Sequence, residues 1–245
     1  MNTSPWILAA RPKTLSAAVA PVIVATALAL RDRGTIPWLY AALALGGALF
    51  IQIATNYIND ALDFKKGADT TARLGPLRVT QAGLLPYEAV MRGAYVSLLL
   101  AVLCGVPLIL RGGWPILAIG LASIAGAYVY TGGPYPLAYH GLGELFVMIF
   151  FGVVAVGGTY WVLTLDYTID ALLCGVAMGA LANVILAINN LRDLPTDRDS
   201  GKRTIAVRIG ERGARAEVVA FAVLAYVMVA AIAILRTDHS LWLVF

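Results

Sequence analysis

Apolar stretches long enough to cross a hydrocarbon core recur seven times along this chain, around 14–30, 37–58, 87–110, 114–131, 142–165, 168–191 and 214–235, and they carry little charge. A transmembrane helix needs roughly 17 to 25 such residues. Strands of a membrane barrel would instead alternate apolar and polar residues over about ten positions, and no such alternation runs through the sequence. The expectation is all-α, a multi-span transmembrane helical bundle in which residues 1–245 form a single membrane domain. Composition agrees: 60% of residues are hydrophobic, 13% are charged and the mean hydropathy is +0.80, unlike a soluble domain. The N-terminal "MNTSPWILAARPKT" has no short apolar region followed by a small-residue cleavage site, so the first span is expected to stay in the protein.

Basic residues give the spans a direction. With the N-terminus on the cytoplasmic side, fourteen of the 18 Lys and Arg residues fall there, from Arg11 and Lys13 to Arg215, and only Arg31, Arg33, Arg111 and Arg236 fall on the other side. An excess of this size on short loops sets orientation. The expected placement is a cell (inner) membrane, multi-pass, with the N-terminus and both charged loops cytoplasmic. The net charge of +4 sits at membrane borders, where anionic headgroups and anionic substrates are met, so membrane lipid is an expected partner and nucleic acid is not. No protein partner is expected. Cys104 and Cys174 are single residues in apolar spans without CxxC or His spacing, which excludes neither packing nor reactivity but argues against a disulfide or metal site.

The chemistry concentrates in two charged segments that close even-numbered spans and so emerge on the same side. The first is "NYINDALDFKKGAD", residues 56–69. At about 100° per residue, Asn56, Asp60 and Asp63 point within about 60° of one another on a helix. The second, "NNLRDLPTDRDSGKRT" from Asn189 to Thr204, sets Asp193, Asp197 and Asp199 beside Arg198, Lys202 and Arg203. The first aspartates of the two clusters lie 133 positions apart, as in a divergent internal repeat. Paired carboxylates hold hard cations such as Mg²⁺, which completes its shell with water and substrate phosphate, and Lys and Arg neutralise the remaining phosphate oxygens. A diphosphate held in this way is a good leaving group. Neither segment contains GxxxxGK[ST], so no nucleotide P-loop is read. Acids and cations at a span end also serve as caps or sit solvated among headgroups, but two matching clusters at membrane depth point to function.

"NDALD" with "GAD", "GPLRVTQAGLL", "YTGGPYPLAYHGLGELFV", "NNLRDLPTDRDSGKRTIAVRIG" and the N-terminal "RPKTL" together resemble the intramembrane aromatic prenyltransferases of the UbiA type, from Arg11 to about Arg215. Within that family the resemblance is to the branch acting on 1,4-dihydroxy-2-naphthoate in menaquinone synthesis. It implies a helical bundle around a central cavity, with the two Asp motifs facing each other over Mg²⁺ and polyprenyl diphosphate. Asn56, Asp60, Asp63, Asp193 and Asp197 match the metal positions, and the four aspartates with Lys202 the catalytic ones. Substrate contacts are expected from Asn59, Lys65, Asp69, Arg73, Arg78, Tyr130, Tyr139, His140, Asn189, Arg198 and Arg203. The implied reaction is loss of diphosphate to an allylic cation, attack by the electron-rich ring at its carboxylate-bearing carbon, and loss of CO₂ to give demethylmenaquinone.

The connection "YTGGPYPLAYHGLGE" offers Tyr130, Tyr135, Tyr139, His140 and Glu144 on the cytoplasmic side. Tyrosine faces stabilise cations or form an interfacial belt; His140 is either a base for the naphthoate or a solvated loop histidine. Pro195 lies between Asp193 and Asp197, and a proline ends or kinks a helix, which leaves open whether Asp197 sits on a helix or a loop. The family fold has about nine membrane helices, so the resemblance implies a chain lacking the last two. Acceptors such as 4-hydroxybenzoate or homogentisate remain alternatives. An ion-coupled carrier would place charges near the midplane, which the spans do not, and a CDP-alcohol phosphotransferase motif is absent.

Overall fold

The computed structural model describes residues 4–67 and 75–236. A short helix α1 (Pro5–Ala10) is followed by α2 (Pro12–Arg33), α3 (Trp38–Lys65), α4 (Tyr87–Gly112) and α5 (Trp114–Val129). A 3-10 turn at Leu137–Tyr139 leads into α6 (Gly143–Val147), a π-helical stretch Met148–Val154 and α7 (Ala155–Thr164), which together make one span. Helix α8 (Ile169–Arg192), the short α9 (Leu194–Asp199) and α10 (Ile205–Arg236) complete the described chain, which contains no strand among these residues. Large apolar side chains such as Leu110, Trp114 and Trp38 are exposed. Such a surface is untenable in water but ordinary against lipid. The chain is a multi-pass membrane protein.

Six helices are long and apolar enough to cross a membrane, Pro12–Arg33, Trp38–Lys65, Tyr87–Gly112, Gly143–Thr164, Ile169–Arg192 and Ile205–Arg236. The expected span at 114–131 is shorter, a helix of 16 residues, or about 24 Å at 1.5 Å per residue. Its end is set locally. Gly133 turns at φ 75°, Pro134 follows, and the Thr131 hydroxyl donates to Asn59 while its carbonyl accepts from Lys66. The Lys66 ammonium thus takes the Thr131 carbonyl, and the Ala138 N–H takes that of Tyr130, in place of helical partners.

Packing is most extensive between α3 and α4 and between α8 and α10. In each pair the first helix carries an aspartate motif at its C-terminal end, an arrangement that argues for the internal repeat. Around the first motif, Ala9 of α1, Ile58 and Ala61 of α3, Val90 and Ala94 of α4, Ala127 of α5 and Val79 of the intervening loop form one buried cluster. Full burial of a side chain like Val79 is worth about 1.5–3 kcal/mol, so this loop is pinned to the end of α3. The π-helical stretch meets α8 at glycine: a Cβ on Gly152 would lie 2.4 Å from the Gly175 carbonyl, so these backbones touch only because neither has a side chain there. At the end remote from the motifs, Arg31 binds the fully buried Asp170 at 2.8 Å and Tyr160 donates to Asp32 at 2.9 Å, tying α2 to α7 and α8.

Candidate active site

The 28 residues of α3 give a helix about 42 Å long, so its last turns project the first motif beyond the apolar part of the bundle. The motif divides between two faces. Asn59 and Asp63, one turn apart, line a cleft of about 380 Å³. Asp60, rotated about 100° from Asn59, turns to the neighbouring side of the helix and is fully buried: its two oxygens accept the backbone N–H groups of Val79 at 3.1 Å and Thr80 at 2.9 Å. Asn56, two turns deeper than Asp63, gives its amide to the Ala10 carbonyl at 2.8 Å and the Thr14 hydroxyl at 3.1 Å. Asn56, Asp60 and Asp63 do share the helix α3, but their partners differ. Asn56 seats the α1–α2 corner, Asp60 holds the loop that carries Arg78, and only Asp63 of the three lines the cleft.

On the opposite wall α8 stops at Arg192, since Pro195 has no N–H to continue the ladder. The chain restarts as α9 with Pro195 in its first turn, a position that proline tolerates. Asp197 is thus on a short helix and not a loop, and its N–H still bonds the Asp193 carbonyl at 2.8 Å. Gly201, at φ 77°, then turns the chain so that the Lys202 N–H reaches the Asp197 carbonyl at 2.9 Å. That turn, which favours glycine, delivers the Lys202 ammonium between the two motifs, 3.8 Å from Asp63 and 3.8 Å from Asp197.

Each cleft aspartate is held by cations. Asp63 accepts from the buried Arg78 at 3.0 Å and from the Tyr139 hydroxyl at 2.8 Å, and Asp193 forms a two-pronged pair with Arg192 at 2.7 Å on both arms. The Tyr139 ring lies 4.8 Å from the Lys66 ammonium and 4.9 Å from that of Lys202, within cation–π range. Partial desolvation holds the Lys66 ammonium below its ordinary pKa, opposed by Asp63 and reinforced by Lys202. Tyr130, at the end of α5, has its phenol pushed far above the usual range by desolvation and then by Glu144, so it stays protonated.

Deeper along the same helices lies an apolar cavity of about 310 Å³. Its walls continue those of the cleft: Ala17 and Ala18 follow Thr14 on α2, Thr55 precedes Asn59 on α3, Ala127 precedes Tyr130, and Phe146 and Phe150 follow Glu144. The rings of Tyr130, Phe146 and Phe150 run from one space to the other, at 5.3 Å and 4.4 Å between centroids. A polar, cation-rich mouth above an apolar recess suits an amphiphile with an anionic head and a long hydrocarbon tail.

The family model described as the UbiA prenyltransferase family matches residues 18–245. The chain belongs to the UbiA prenyltransferase family. Among curated relatives it is 42% identical over 210 residues to the 1,4-dihydroxy-2-naphthoate octaprenyltransferase of Mycobacterium tuberculosis, covering 86% of this chain and 71% of the relative. It is 41% identical over 221 residues to the Escherichia coli protein of the same name, covering 87% and 71%. In fold it is similar to a UbiA homolog from Archaeoglobus fulgidus whose structure was solved bound to DMAPP and Mg²⁺, with a TM-score of 0.76 and 15% identity over 98% of this chain and 82% of that one.

In this UbiA-family chain the cleft gathers Asn59, Asp63, Arg78, Tyr130, Tyr139, Asn189, Asp193, Asp197 and Lys202 of the expected residues. Others stand apart from its lining. Lys65 points to the Tyr87 ring at 5.5 Å, and Arg198 and Arg203 are exposed. His140 stacks on Tyr135 at 3.6 Å between centroids, with Nδ1 2.8 Å from the Pro136 carbonyl. Asp69 and Arg73 lie outside the described residues. The cleft adds residues that spacing alone did not select: Arg11, Lys13, Thr14, Glu144, Asn190, Arg192 and Thr204. The signal for Arg11 and Lys13 was their place in "RPKT"; for Glu144 it was a lone acid at the head of an apolar span.

Proposed function

We propose that this protein transfers a polyprenyl group from polyprenyl diphosphate to 1,4-dihydroxy-2-naphthoate, releasing diphosphate and CO₂ and forming demethylmenaquinone in menaquinone biosynthesis, with Mg²⁺ as its metal. The observation that carries the chemistry is Lys202, which stands 3.8 Å from an aspartate of each motif and so supports a single anionic ligand shared by the two halves of the bundle. The acceptor rests on the 35–42% identity to several relatives named 1,4-dihydroxy-2-naphthoate octaprenyltransferase. Oxygens from two facing walls, the Asp63 carboxylate with the Asn59 amide carbonyl and the carboxylates of Asp193 and Asp197, are a donor set that fits a hard cation, and these residues would hold it. When bound, the ion supplies positive charge against the leaving diphosphate.

The protein's own groups do the rest. Lys202 and Arg78 reach the cleft as cations able to pair with diphosphate oxygens the metal does not cover. Asp60 positions Arg78 through the Val79–Thr80 backbone, and Asn56 seats the α1–α2 corner that brings Arg11 and Lys13 to the cleft. The apolar recess takes the isoprenoid and keeps water from the allylic cation. The excess of basic residues at the motif end supports an orientation with the N-terminus and both motifs in the cytoplasm. The test is purified protein given one polyprenyl diphosphate, Mg²⁺ and an equimolar mixture of 1,4-dihydroxy-2-naphthoate, 4-hydroxybenzoate and homogentisate, with products read by mass spectrometry. The prenylated naphthoquinone should dominate. Prenylated 4-hydroxybenzoate or homogentisate as the main product would refute the acceptor and leave the prenyl transfer standing.

A further inference from the structure

Glu144 is the cleft carboxylate that the metal and diphosphate chemistry does not use. Asp63, Asp193 and Asp197 each pair with a cation. Among the described residues Glu144 forms no ion pair; its Oε1 accepts a neutral hydrogen bond from the Asn190 amide at 2.8 Å. It is only 4% exposed, yet it lines the cleft. Its placement is enforced twice from α8: Asn190 holds the carboxylate, and Asn183, two turns earlier and fully buried, donates to the Glu144 carbonyl at 3.0 Å. Asn183, fully buried in a membrane helix, is costly to place, and together with the half-buried Asn190 it fixes both the backbone and the carboxylate of one glutamate. The neighbouring Tyr130 hydroxyl lies close to the Gly143 backbone, 3.3 Å from where a Cβ on Gly143 would sit.

Resting on the naphthoate reading above, we propose that Glu144 is the proton acceptor for the aromatic substrate, and that the wall formed by Glu144, Asn190 and Tyr130 is the acceptor's subsite. The chemistry requires such a group. As the allylic C–O bond breaks, its electron pair leaves with diphosphate, and the ring carbon bearing the carboxylate forms the new C–C bond. The adjacent hydroxyl must shed its proton for the ring to push electrons to that carbon, and Glu144 takes it, leaving a ketone. The C–CO₂ bond then breaks, its electron pair returns to the ring and on to the oxygen, and Glu144 gives the proton back. The product of this sequence is the hydroquinone form of demethylmenaquinone, with no oxidant consumed. His140, turned away onto Tyr135, is not placed for this role.

Glu144→Gln keeps an oxygen to accept from Asn190 and removes the base. General-base contributions are about 10²–10⁴-fold, so its kcat at neutral pH should fall by at least about 10² with the KM for polyprenyl diphosphate unchanged. Its rate should also climb tenfold per pH unit as the free naphthol ionises, where the wild type levels off, and Glu144→Asp should recover part of the activity. Ionisable groups that face Glu144 are Tyr130 from α5 and Glu217 from α10, with Arg11, Lys13 and Lys202 across the cleft, so Glu217→Gln serves as the control for the pH limb and should leave it in place. A Gln variant within threefold of wild type, or one whose pH profile parallels the wild type at reduced amplitude, would overturn the assignment. Should the Gln variant fail to fold, Glu144→Asp decides alone: a displaced pH limb supports the base and an unmoved limb refutes it. Wild-type protein inactive on 1,4-dihydroxy-2-naphthoate but active on another acceptor would refute the naphthoate reading instead.

Discussion

Asp60→Asn separates the two roles that an aspartate of the first motif can have. In the structure Asp60 accepts two backbone N–H groups at 2.9 and 3.1 Å while fully buried. An asparagine keeps one acceptor oxygen and turns an NH₂ group toward the other N–H, so one bond is lost, a donor is left facing a donor, and the remaining bond loses its charge assistance. Hydrogen bonds to charged groups are worth about 1.5–3 kcal/mol, which puts the loss at roughly 2–3 kcal/mol. For a chain of this size that is a fall in Tm of about 4–12 °C. The loop carrying Arg78 should loosen and kcat should fall, but the Mg²⁺ concentration giving half-maximal rate should stay where it is. Thermal unfolding in detergent and a Mg²⁺ titration of turnover read both quantities on one preparation. An unchanged Tm together with a tenfold or greater rise in the Mg²⁺ requirement would show that Asp60 is a metal ligand and that the division of the motif between two faces is wrong.

Arg78→Met should destabilise by about 3–5 kcal/mol, the usual result of stripping one partner from a buried pair, since both side chains are 5% exposed; a Tm within 2 °C of wild type would refute it. Lys202→Met should cut kcat by about 10²-fold, the order expected for loss of one preorganised charge at a developing anion, with little change in Tm; a rate within threefold of wild type in a steady-state assay would contradict it. His140→Gln should alter kcat by less than threefold, because the ring serves Tyr135 and Pro136. Filling the apolar recess with Ser123→Phe should shorten the longest polyprenyl diphosphate accepted, read from product masses with a chain-length series, while leaving geranyl diphosphate a substrate.

The membrane architecture was legible because hydrocarbon imposes its length on every helix it surrounds, and six of the seven apolar stretches register that length directly. The meeting of the two motifs was legible too, since both close even-numbered spans and must share a side. What periodicity could not supply was the partner on each face. Asn59 and Asp60 are neighbours in sequence about 100° apart on a helix, and only the packed Val79–Thr80 backbone decides that Asp60 turns inward to it while Asn59 and Asp63 face the cleft. The short α5 shows the same limit: its apolar stretch was read to residue 131, but the helix ends at Val129, where tertiary bonds hold the Thr131 hydroxyl and carbonyl. Pro195 was read correctly as a helix terminator, but that it also begins α9 depends on the chain having somewhere to restart. Glu144 was visible as an acid entering an apolar span, but that it forms no ion pair among the described residues emerges only when the cleft walls are assembled.

The central claim is that Asp63 and Asp197, from opposite halves of the bundle, hold one metal-bound diphosphate. Equilibrium binding of a non-ionisable thiolodiphosphate analogue of geranyl diphosphate, with Mg²⁺ or with EDTA, tests it in wild type, Asp63→Asn and Asp197→Asn. Tight binding that requires Mg²⁺ and is lost in both variants is the predicted result. Binding that survives EDTA, or survives loss of either aspartate, would contradict it.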